Sequence, residues 1–145
     1  MNNANDVKEL VQISRDGLEF YQDAMNEVES ERLKSVFARM AGHKRTLIAS
    51  LSSKLAINDE DVPTDGTFAG TVRKTYADLR AMLSANEDKV YVSQLEETED
   101  RLLKHFDKAL AAATDPTVRG LLQQHYPQVR ACHDEMRALK QQLAA

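Results

Sequence analysis

The stretch NDEDVPTDG, residues 58–66, decides how this chain folds. It is acidic, it holds Pro63 and an Asp-Gly pair, and it interrupts a strong helical pattern, so it reads as a loop. Before it, Leu33, Phe37, Met40, Leu47 and Leu51 recur three and four residues apart, the spacing of one helix face over residues 30–56. After it, Val72, Tyr76, Leu79 and Leu83 mark a shorter amphipathic helix. Ser84-Ala-Asn-Glu87 then has the capping-box pattern that opens the next long helix. The segment between the two long helices is long enough to carry the chain back along their length, which makes it a single crossover connection.

The remaining helices follow outward from that segment. A first helix over about residues 5–28 is capped by Asn5 or Asn3, with Asp6 at the positive end of its dipole. Its stripe is Val7, Val11, Leu18, Tyr21, Met25 and Val28, and the one gap in the spacing is Ser14. The second helix has a similar gap, filled by Lys44. The third runs to about Ala113 with Val92, Leu95, Leu102, Phe106 and Ala109 inward, and Glu99 in the central place. Asp115-Pro116 starts the fourth, since Asp suits the N-cap and Pro the first turn. Its inward face is Val118, Leu122, His125, Val129, Cys132, Met136, Leu139 and Leu143, and Pro127 is expected to kink it. No period-two alternation is sustained, so no sheet is expected. Short connections make helices 1 and 2, and helices 3 and 4, antiparallel hairpins. The expectation is an all-α, ferritin-like four-helix bundle with a short crossover helix between helices 2 and 3, one domain over residues 1–145.

Composition narrows the function classes. With 42% hydrophobic and 29% charged residues the chain is ordinary for a soluble globular protein. A net charge of -4 argues against nucleic acid as the main partner, because phosphate binding needs a concentrated positive field. The single cysteine, Cys132, excludes an internal disulfide. The N-terminal MNNANDVKEL does not read as a secretory signal, and no segment approaches the roughly 18 apolar residues of a membrane helix. The expected address is the cytoplasm, with neither membrane nor nucleic acid as partner.

Bundles of this arrangement that bind two iron or manganese ions take a Glu from each of two helices and Glu-x-x-His from the other two. The first helix offers Ser14 at the required place, while Asp16 and Glu19 fall on other faces. The second offers Lys44-Arg45-Thr46-Leu47 where Glu-x-x-His belongs. The third supplies Glu99, and the fourth supplies His133 with Arg130 three residues before it. Lys44 and Arg130 thus stand where carboxylates would, and a cation there repels a divalent metal and can pair with Glu99. The layer therefore reads as an ion-paired plug that fixes the register of the bundle. Should a metal site survive, its donors are Glu99, His133 and His43. Cys132 reads as a small buried hydrophobe, and Asp134 and Glu135 fall toward solvent.

The segments ISRDGLEFYQDA (13–24), GTVRKTYADLRAML (70–83), LEETED (95–100) and VRACHDEMRAL (129–139) resemble a bacterial family of ferritin-like four-helix bundles known as a domain of unknown function. The resemblance implies a cytoplasmic bacterial protein with an incomplete carboxylate set and no catalytic residue to carry over. Within it, Arg15-Asp16-Gly17 reads as a structural device, with Gly17 allowing close helix approach beside an ion pair.

The expected function is that of a non-enzymatic helical bundle, without cofactor, acting through self-association as a homo-oligomer (a dimer) or through a protein partner. A stress-related role is expected by analogy with ferritin-like relatives. The alternative is an iron- or manganese-binding protein with a reduced site. A remoter one is a histidine phosphotransfer bundle, with His105 followed three residues later by Lys108; Asp107 between them would repel the phosphate. No serine-histidine-acid set or glycine-rich phosphate loop occurs at usable spacing, so no hydrolase or nucleotide-dependent activity is expected.

Overall fold

The computed structural model describes residues 1–67 and 87–144, and these form four helices and no strand. They are α1 (Ala4–Glu27), α2 (Glu31–Ile57), α3 (Glu87–Ala112) and α4 (Pro116–Ala144). The short crossover helix expected around residues 72–83, and Ser84 of the capping box, lie outside the described residues. No helix among the described residues is long and apolar enough to cross a membrane.

Local chemistry sets the helix ends. The Ser30 hydroxyl accepts the Leu33 amide at 3.2 Å and caps α2. At the other end of α2 the chain turns through Asp59, whose φ is 57°, and the Asp59 and Glu60 amides reach back to Ala56 and Leu55. This double closure satisfies carbonyls that the helix end would leave open. Asp115 opens α4 as expected, accepting the Thr117 amide at 2.9 Å and its hydroxyl at 2.7 Å. Asn3, at the start of α1, does not cap with its side chain. It bonds Ala112 and Thr114 instead, fastening α1 to the α3–α4 turn.

α1 lies beside α2 and α3, and α4 lies beside α3 and α2. The Asn3 contacts set the start of α1 against the end of α3. Arg39–Glu135 and Lys54–Thr117 run α2 against α4 in the same opposed sense. α2 and α3 therefore point the same way on one diagonal of the bundle, and only a connection returning along its full length can join them. This is the ferritin-like arrangement.

Two apolar clusters fill the interior. One gathers Tyr21, Phe37, Met40, Tyr91, Leu95 and Met136, the other Val7, Leu10, Leu51, Phe106, Val118 and Leu122. Between them on the helix stripes lie the buried polar residues Ser14, Lys44 and Glu99. The buried face of α1 is wider than one stripe. Leu10, Ile13, Gly17, Phe20 and Ala24 are also buried, because the helix meets two neighbours, while Leu18 and Met25 are only half-buried. On α4, His125 is half-buried and Leu143 is exposed, both short of the inward place expected for them.

The start of the crossover climbs α1. Glu60 faces Lys8 at 3.8 Å, the Arg15 Nε donates to the Pro63 carbonyl at 2.9 Å, and the Thr67 amide donates to Asp16 Oδ2 at 3.2 Å. Asp16 is buried, although its face points away from the bundle axis, because loop and α3 close over it; Arg101 meets the same oxygen at 3.2 Å. Arg15 and Asp16 thus form a clamp on the loop leaving α2. A Cβ on Gly66 would sit 1.9 Å from Asp16 Oδ1, so only glycine fits there. A Cβ on Gly17 would meet Thr98 and Lys44 at 3.5 and 3.6 Å, ordinary contact distances.

The two glycines should therefore behave oppositely in urea unfolding. Gly17→Ala should stabilise by about 0.5–1 kcal/mol through helix propensity. Gly66→Ala should destabilise by about 1–3 kcal/mol as the loop is pushed off Asp16.

Candidate functional site

Lys44 follows Met40 and precedes Leu47 on the buried face of α2, so helix periodicity drives its side chain inward. Its stem passes over Gly17 of α1, and its Nζ ends 2.7 Å from Glu99 Oε1 on α3. The Tyr21 hydroxyl donates to the same oxygen at 2.7 Å, and the Lys44 ammonium stands 6.0 Å from the centre of the Tyr21 ring. Lys44 is 2% exposed and Glu99 is fully buried. One oxygen of Glu99 thus receives two bonds, while Oε2 has no hydrogen-bond partner among the described residues.

Removing two charges from water costs several kcal/mol each, and contact between them returns part of it. The second donor, Tyr21, strengthens the arrangement, as a buried tyrosine hydroxyl requires a partner in any case. Ser14, the third member of the layer, stays out of this exchange; its hydroxyl donates to the Leu10 carbonyl at 2.7 Å.

The other residues singled out in the sequence occupy separate settings. Arg130 is exposed and lies 3.9 Å from Asp134, so it does not enter the layer or pair with Glu99; Lys44 takes that role. His133 is buried with its two ring nitrogens toward different carboxylates, Nδ1 3.0 Å from Asp134 and Nε2 3.4 Å from Asp100. His43 is half-buried on α2 and faces a cleft shared with α4. Glu99, His133 and His43 are therefore not gathered into one donor set. Among the described residues no group of three or more His, Cys, Asp or Glu side chains could hold a metal ion. Cys132 is buried, and burial pushes its thiol up, which disfavours the reactive thiolate.

Two residues near the surface make contacts between helices. Glu135 makes a two-pronged ion pair with Arg39, at 2.9 and 2.5 Å, that joins α4 to α2. Hydrogen bonding from Arg39 holds the Glu135 carboxyl below its usual range. His105, the phosphotransfer candidate, has its Nδ1 2.7 Å from Glu9 on α1. That carboxylate would oppose a phosphoryl group at the same nitrogen.

The sequence missed the Asp16–Arg101–Thr67 junction and the role of Tyr21. Tyr21 carried a signal, because a tyrosine on a core stripe needs a buried acceptor. The junction carried none, since it depends on where an irregular loop docks.

The chain belongs to the family described as Domain of unknown function (DUF2383), which matches residues 2–112. A comparison with curated proteins found no match. Among solved structures it resembles a two-domain protein from Anabaena variabilis ATCC 29413 containing DJ-1/ThiJ/PfpI-like and ferritin-like domains. The TM-score is 0.75 at 15% identity, over 99% of this chain and 37% of that one. The likeness is one of fold.

Lys44→Met should cost about 3–5 kcal/mol in chemical denaturation, since it strands Glu99 in the interior. Lys44→Met with Glu99→Leu should recover most of that loss, and a double variant as unstable as the single one would refute the pairing. Burial holds both His43 and His125 below their usual value of 6.5, with Lys44 and Arg39 adding to the effect at His43. The unfolded chain then takes up these protons first. Stability should be level above pH 6.5 and decline as pH falls through 6.5, before carboxylates such as Glu135 titrate. His43→Gln with His125→Gln should flatten the decline between pH 7 and 5.5.

Proposed function

We propose that this member of the family is a non-enzymatic bundle that works by protein contact, with a second copy of itself or with another protein. In this reading an internal ammonium group holds its centre where related bundles hold metal. The observation that carries the proposal is the position of Lys44 Nζ, 2.7 Å from Glu99 in a layer sealed above and below by apolar side chains. A divalent ion approaching Glu99 would have to displace a charge already bonded there, and among the described residues no group of three donors is gathered to complete its shell.

The fold comparison supports the choice of partner contact over chemistry. In the Anabaena protein a ferritin-like domain shares its chain with a second domain, and the present chain spans 37% of that protein's length. We carry over the arrangement of a bundle working beside another folded unit. The cytoplasm and a stress-related setting complete the reading, both by analogy with ferritin-like proteins.

Sedimentation of untagged protein, together with elemental analysis for iron and manganese, tests this. Self-association or a stoichiometric complex is expected, with metal far below one equivalent. A persistent monomer that forms no complex would overturn the contact reading. Metal near one equivalent that is lost in Glu99→Ala with His133→Ala would establish the metal-binding alternative.

A further inference from the structure

A cleft of about 230 Å³ opens between α2 and α4 at the height of the buried pair. It lies on the side of the bundle opposite the described start of the crossover, which is held by α1 and α3. His43, Lys44 and Leu47 line it from α2, and His125, Val129 and Cys132 from α4.

The chemistry of its wall is one-sided. Among the described residues its polar groups are two imidazoles, the Gln128 amide and the Thr46 hydroxyl, with the buried Lys44 side chain beside them, and none is a carboxylate, although the chain as a whole carries a charge of -4. Two cations stand near His43, Lys44 and Arg39, each paired with an acid of its own, Glu99 and Glu135. His43 makes no hydrogen bond or ion pair with any other described residue while half-buried, and the Gln128 amide reaches only the Cys132 sulfur at 3.6 Å. His125 is already engaged by Ser50 at 2.7 Å. Unspent donors in such a wall suit a ligand with acceptor oxygens, and no described lining side chain opposes a negative charge on it.

Size and lining narrow the class. At roughly 30 Å³ per water, the space suits a molecule of a few heavy atoms. Leu47, Val129 and Cys132 supply an apolar wall that an inorganic anion would leave unused.

We propose that the α2–α4 cleft is a binding site for a small organic acid, a carboxylate with a short aliphatic tail. The carboxylate accepts from His43 and Gln128, and the tail lies against Leu47 and Val129. This site is independent of the protein contacts proposed above and stands or falls separately from them.

Imidazole NMR on the full chain, at constant ionic strength, tests the assignment with sodium butyrate as probe. Butyramide serves as the neutral control of similar shape, and inorganic phosphate as the anion without a tail. The expected result is a saturable, millimolar-range change at His43, with its titration moved upward by butyrate and little affected by either control. Thr46→Trp, which covers the mouth from an exposed position, and His43→Phe should each abolish the response at the remaining cleft signals. Unchanged thermal unfolding of either variant identifies the loss as one of binding. The proposal is overturned if butyrate gives no saturable change at His43, if phosphate or butyramide acts equally well, or if the response persists in folded Thr46→Trp.

Discussion

The contact between Lys44 and Glu99 constrains the bundle more tightly than any apolar contact does. It spans the diagonal between α2 and α3, two helices that the contact pattern does not make neighbours, and Tyr21 ties α1 to the same oxygen. Apolar side chains tolerate sliding, because one leucine surface resembles the next. A slip of α3 by one helical turn, about 5.4 Å, would leave both charges buried and unpaired. The pair adds little net stability over well-packed hydrophobes of similar volume, since desolvation offsets most of the attraction. Its physical contribution is to make every other register far worse.

The same contact explains why the interior comes in two parts. Packing on either side of the layer is ordinary, with aromatic and methionine side chains around Tyr21 and Phe37, and aliphatic ones around Leu10 and Leu51. Each part places residues on all four helices. The charged layer can then be reached by solvent only through gaps between helices, such as the cleft between α2 and α4 that Lys44 helps to line.

Much of this was legible in the sequence because it obeys a period. The interruptions of the stripes at Ser14, Lys44 and Glu99 mark the layer, and the cation on α2 points to the charge that would answer Glu99. The misreading of Arg130 has a geometric cause. His133 sits at the margin of the buried face of α4, and a residue three positions earlier is turned about 60° around the helix. That turn carries Arg130 into solvent rather than toward the axis. Gly17 was read as allowing close helix approach beside an ion pair, and Lys44 does pass over it, but the space there accepts a methyl group, and the glycine under tighter constraint is Gly66. Its partner Asp16 is far away in sequence, on the face of α1 that the stripe assigns to solvent. A loop that buries an acid by draping over it leaves no periodic trace.

The internal cation also bears on how such a bundle can be used. A metal centre in the same place would be exchangeable, and the protein would then respond to metal supply or to oxidants that reach it. A lysine is covalently fixed, so the centre it fills has one state under all conditions in which both charges persist. Responsiveness must then come from groups nearer the surface. The half-buried imidazoles His43 and His125 are of that kind: burial shifts both toward the neutral form, and both line a cleft to which no described residue brings an acid. Fixing the centre and leaving the α2–α4 seam open separates the part of the molecule that sets its shape from the part that can still meet something else.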